Sequence, residues 1–501
     1  MRLDDRRACR RDCVLLLTGG LLGSWPWAAS AHGFGALYNL PVPLWLYNWS
    51  AAAALVLSFV VAAAVLSGSS QAPRTGWDIS HTRFASLYPA LRPWTQLLAL
   101  AVLLLCLATG YWGNRDPVRN FSMTFFWIIF TLLLTYLCAL FGNLYAALNP
   151  WRGMARLLGR FWTGYTRGRY AYPAALGDWP ALVLYLGFIW FEVFGHGRPR
   201  ELATWLAAYS LLNVVGVGLI GARSWFAHCE FFAVFFRLVG VLGIFGRARL
   251  AQASGPRSAS SLILRWPTSG VLHQRPAQFS TLVFVLAMLS TTAFDGLSAT
   301  QWWVSLFWSD PTGWLTQWLG VPPVKALGPM RPWWLAWQTL WLLASPLVYL
   351  GGYVLAIALA KGLTGSARPL RQLCLDFAFT LLPIVVAYHF THYATLVLNH
   401  GLKIISLISD PFGWRWDLFG TAMRFRAPIL PDMGLVWHTQ VGVILLGHVM
   451  SVWLAHRVAL RVFVSRRAAI LSQVPMLVLM VGLTVAGLWI LAQPLTMMKM
   501  G

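Results

Sequence analysis

Ten stretches of this chain are apolar for long enough to cross a bilayer, with polar breaks between them. A helix rises about 1.5 Å per residue, so roughly 20 apolar residues cover ~30 Å of hydrocarbon. The pattern predicts spans near 44–67, 94–113, 125–148, 176–194, 202–222, 278–299, 334–360, 373–400, 435–456 and 474–494. A further segment, SWFAHCEFFAVFFRLVGVLGIFG (224–246), is long enough but contains His228, Glu230 and Arg237. Letting it cross would reverse every later loop and move most of their arginines to the other face. It is therefore expected to be an interfacial or re-entrant helix. NPWRGMARLLGR (149–160) reads as a basic amphipathic helix along the same surface, and Asp376 as a local ion-pair partner of Arg371. The expected fold is all-α, a polytopic membrane bundle of about ten transmembrane helices forming one domain over 32–501.

Residues 1–31 have the three parts of a cleavable signal peptide. MRLDDRRACRRD is a basic start, CVLLLTGGLLG is a short apolar run, and Ala29-Ser30-Ala31 is an A-x-A site. Cleavage there would make His32 the first residue, with an amine beside its imidazole.

Composition agrees with the pattern. The chain is 58% hydrophobic and 11% charged, against about 25% charged in soluble domains. The net charge of +23 comes from arginines at span ends. It implies a lipid bilayer as partner and no nucleic acid. With an outside N-terminus and alternating spans, 22 Lys/Arg fall inside, 11 outside and five in the leader. That bias sets the orientation. The six cysteines imply no disulfide framework. Neither a P-loop, a dinucleotide fingerprint nor GxSxG is present.

Ionisable side chains inside spans are costly and face the protein interior. His389, His392 and His400 fall within about 80° on one face of the eighth span. His438, His448 and His456 do so on the ninth. The two helices run antiparallel, so His400 is expected to face His438 near the outer surface, and His389/His392 to face His448 deeper. His456 is expected at the inner interface. Glu192 and Asp295 end the fourth and sixth spans on the outside, His196 follows in a loop, and His32 lies on the same side. Imidazoles and carboxylates at this density suit a divalent transition metal, zinc or copper. The expected ligands are His32, His389, His392, His400, His438 and His448, with Glu192 and Asp295 as catalytic carboxylates. The Trp-rich outer loops 300–333 and 401–434 are expected to line an apolar, aromatic pocket.

Several stretches resemble the membrane protein family labelled fenitrothion hydrolase. They are AHGFGALYNLPVPLWLYNWSAAAALVLSFVV, FGNLYAALNPWRGMARLLG, FIWFEVFGHGRPRELA, TAFDGLSATQWW and VGVILLGHVMSVWLAHRVAL. The likeness is to one subunit of a bacterial membrane organophosphate-hydrolysing enzyme, and it spreads over most of the chain. It implies a cell-membrane location and a lipophilic phosphorothioate triester as substrate. The P–O–aryl bond would be cut to release a nitrophenol. A second homologous membrane subunit is a possible partner. The site residues above come from the depth argument, not from the resemblance. A metal-activated water would suit the chemistry. A transporter or metal-handling permease could use the same histidines, and so could a non-catalytic subunit of a membrane complex.

Overall fold

The computed structural model describes residues 30–33, 36–39, 42–65, 76–195, 197–249, 260–425, 427 and 432–493. Residues 1–29 of the expected signal peptide and His196 lie outside them. Every predicted span is a helix. They are α1 (Leu44–Val65), α2 (Arg83–Trp112), α3 (Phe121–Phe141), then amphipathic α4 (Pro150–Phe161), α5 (Trp179–Phe194) and α6 (Pro199–Ile220). Two short helices follow, α7 (Ala222–His228) and α8 (Phe231–Val239). The remainder are α9 (Phe279–Ser298), short α10 (Gln301–Trp308), α11 (Leu327–Thr364), α12 (Leu370–Ala378), α13 (Leu382–His400), α14 (Met433–Val462) and α15 (Arg466–Ala492). Among the described residues nine helices are long and apolar enough to cross, α12 and α13 counting as one; α5, at 16 residues, is shorter. This is a multi-pass helical membrane bundle.

The bundle is organised around α9. Its apolar stretch is 89% buried, against 22% for α1 and for α2, so α9 is the axis and the other two face lipid. It packs against α5, α11, α13 and α15. Small residues set the closest approaches. A Cβ on Gly447 of α14 would lie 2.4 Å from the Ala387 Cβ of α13. One on Gly296 of α9 would meet Ile490 of α15 at 2.9 Å and His392 of α13 at 3.3 Å.

The segment 224–246 does not cross. It breaks at Cys229–Glu230 into helices of seven and nine residues, each too short to span. Eight of the nine α8 residues are buried. A helix apolar on all sides belongs in a core rather than on a surface, and FFAVFF is such a sequence. Glu230 caps α8, its two oxygens accepting from the Phe232 and Ala233 N–H groups. Tyr209 (2.8 Å) and Asn149 (3.0 Å) donate to the same carboxylate. Arg265 closes the far end by donating to the carbonyls of Gly240, Val241 and Gly243.

Helix α4 departs from a purely surface position. Its Trp151 is buried and donates to Ser210 of α6 at 3.0 Å, while its last turn leaves Phe161 exposed. Asp376 pairs with Arg275 (3.0 Å) and Arg368 (3.1 Å) rather than with Arg371. A three-stranded antiparallel sheet lies beside the arginine-rich loops. It joins β3 (Trp77–Asp78), β4 (Phe245–Arg249) and β5 (Ser260–Leu264) in the order β3-β5-β4.

Candidate functional site

One carboxylate–imidazole–phenol cluster forms where α9 and α13 meet. Asp295, in the last turn of α9, pairs through Oδ2 with His392 Nε2 at 2.8 Å. The same oxygen accepts from the Tyr393 hydroxyl at 2.9 Å. The His392 ring lies close to Gly296, where a Cβ would sit 3.3 Å from it. The cluster is partly open, with the Asp295 side chain 26% and His392 21% exposed.

Tyr393 connects the cluster to a cavity. Its ring lines a small cavity, roomy enough as it stands for water. The polar lining is Glu192, Tyr185, Thr131, Thr292 and His389. The apolar wall is the row Phe231, Phe232, Phe235 and Phe236 from α8, with Leu132 and Ile189. His389 Nδ1 and the hydroxyl of nearby Tyr136 are buried without a hydrogen-bond partner among the described residues. Thr131 and Leu132 come from a π-helical stretch of α3, Thr124–Leu133. Such winding is rare and concentrates at functional sites.

The histidines of α13 and α14 sit in different surroundings. Gln440, Gly447 and Ser451 turn one face of α14 toward α13. His438 lies on roughly the opposite side, at about 100° per residue. It is exposed, donates through Nδ1 to the Gly434 carbonyl (2.7 Å), and lies 6.3 Å from the Tyr47 ring of α1. His448 is buried one turn beyond Ile444, which packs with Ala51 of α1 and Leu488 of α15. It donates to the Ile444 carbonyl at 2.8 Å, and its Nε2 has no partner among the described residues. His389 and His392 also diverge, one toward the cavity and one toward Asp295. His400 is half-buried at the end of α13. His456 is buried and accepts from Gln473 at 2.9 Å. For His32 only the backbone is described. It pairs with Leu37 in the hairpin of β1 (Ser30–Gly33) and β2 (Ala36–Asn39). Among the described residues no three His, Cys, Asp or Glu side chains gather into a metal-binding set.

Of the predicted site residues, the structure joins Asp295 to His392 and places Glu192 and His389 on one cavity. The aromatic wall comes from α8, not from loops 300–333 and 401–434, whose aromatics pack on one another, as Phe307 does with Trp308 at 5.1 Å. Tyr393, Tyr185 and the phenylalanine row were not predicted. The signal for Tyr393 was available in HFTHY, a hydroxyl next to a histidine inside a span. Comparison with protein-family models, curated proteins and solved structures gave no match for this chain.

Proposed function

We propose that the protein hydrolyses lipophilic organophosphorus triesters such as fenitrothion, within the membrane. The observation carrying this reading is a cavity lined by two bases, four phenylalanines and a carboxylate-anchored tyrosine. Glu192 and His389 are the bases. One takes a proton from water as the water oxygen bonds to phosphorus and the P–O–aryl bond breaks. The nitrophenol leaves as its anion. Tyr393, whose hydroxyl donates to the Asp295 carboxylate that also pairs with His392, positions the cavity wall beside the triester. The phenylalanine row holds the aryl ring. The described residues put only Glu192 and His389 on the cavity as metal donors, fewer than the three usual in a catalytic zinc site, so no step here uses a metal. Metal analysis of the purified protein tests the expectation of zinc or copper separately.

The test is nitrophenol release from an aryl triester by the purified protein in nanodiscs. Glu192→Gln and Asp295→Asn are each expected to lower kcat by about 100-fold or more, with unchanged elution on gel filtration. Wild-type rates in both variants would refute the assignment. A permease reading draws on polar contacts at other depths between α5 and α9. Thr281 donates to Asp178 at 2.6 Å, and Tyr185 and Thr291 share a hydrogen bond of 3.2 Å. Uptake of solute into proteoliposomes, without triester cleavage, would favour it.

A further inference from the structure

We infer that the crossing of α2 and α4 is a binding site for the phosphate of an anionic lipid headgroup. The two helices touch at Gly153, where a Cβ would lie 2.7 Å from the Gln96 carbonyl oxygen. Two side chains of α2 tie the approach to α4. Thr95 donates to the Ala147 carbonyl at 2.8 Å and Gln96 to that of Ala146 at 3.1 Å.

Four arginines gather around this crossing. Arg92 lies one turn before Gln96. Arg152 and Arg156 flank Gly153, and Arg160 follows one turn on. Arg92 is close enough to repel both Arg152 and Arg156, and Arg160 repels Arg156. Among the described residues none of the four forms an ion pair. The acid nearest Arg152 is Glu230, whose oxygens already accept from Tyr209, Asn149 and two backbone N–H groups. The Nε–H groups of Arg92 and Arg152 are buried with no hydrogen-bond partner among the described residues. The Arg152 guanidinium is fixed by stacking on Phe226, 4.7 Å from the ring centre.

Mutual repulsion and buried unsatisfied donors are both unfavourable, and a single anion relieves both. Phosphate suits guanidinium because its oxygens accept paired N–H bonds. Basic pockets between helices at a membrane face are where anionic headgroups bind. The surroundings favour a lipid over a free ion. Leu91, Trp94 and Leu98 of α2 and Leu157 and Phe161 of α4 are exposed apolar side chains beside the cluster, where acyl chains would lie.

The experiment is lipid retention by the full-length protein, read by native mass spectrometry after purification. Nanodiscs of phosphatidylcholine with and without phosphatidylglycerol give its thermal stability. The wild type should retain phosphatidylglycerol and melt higher in discs that contain it. Arg92→Gln/Arg156→Gln should bind that lipid at least tenfold more weakly and lose the melting difference. Arg92→Lys/Arg156→Lys, which keeps the charge, should recover part of both. The milder Arg160→Gln should weaken binding by a smaller factor and covers the case in which the double variant does not fold. Equal retention by wild type and glutamine variants would overturn the proposal. So would inorganic phosphate that displaces the lipid and stabilises the protein to the same extent, because the site would then belong to the free ion.

Discussion

Glu230 shows how much one side chain can organise inside a membrane protein. It is completely buried, and it is the shared acceptor for Tyr209, Asn149 and the first N–H groups of α8. Removing it leaves several buried donors unsatisfied, each costing about 1–3 kcal/mol. Glu230→Ala should therefore fail to yield monodisperse protein in mild detergent. Glu230→Gln, which keeps one carbonyl acceptor, should fold with a lowered melting temperature, and a wild-type melting curve for both would remove this role. The sequence marked Glu230 only as an obstacle to crossing, because its partners come from segments some 20 to 80 residues away. Asp295 and His392 were legible as ionisable residues within spans, but their direct pairing was not. The tight fit at Gly296 is informative only once α13 and α15 are in place.

Spans were the most legible elements, since a bilayer demands a long apolar run and little else does. The broken pair α7–α8 was only half legible. Its charges ruled out a crossing, but its all-round apolar surface was the better guide to burial. The π-helical turn of α3 left no sequence mark. Helix faces were the least legible, because a shared arc on one helix does not say which neighbour it meets. His438 accordingly lies beside Tyr47 of α1 instead of facing α13. The contact of α9 with α13 and α15 gives an element-level prediction. Gly296→Val inserts atoms into a contact already at 2.9–3.3 Å for a single Cβ. It should cost roughly 1–3 kcal/mol, separate Asp295 from His392 and reduce triester cleavage. Gly482→Ala on α15, where a Cβ meets nothing within 4 Å, should change neither. A fully active Gly296→Val protein would show that the cluster tolerates separation.

At the scale of the whole molecule, the ionisable clusters divide between the two ends of α9. Arg275, Arg368 and Asp376 gather near the start of α9, and Asp295 with its partners near its end. On the arginine bias the first group is expected on the inside. Single cysteines test this with a membrane-impermeant maleimide, since the four described native cysteines are buried. Thr312→Cys should label from outside intact cells and Arg169→Cys only after permeabilisation; the reverse pattern would invert the topology. The enclosure of α9 also has a consequence for biosynthesis. Of the helices that surround it, α5 is made before it, but α11, α13 and α15 all follow. During translation Asp295 must wait almost a hundred residues for His392. A chain stopped before α13 would present an acid-bearing helix to lipid without its partner, and such a nascent product should be held by membrane chaperones or degraded by quality-control proteases.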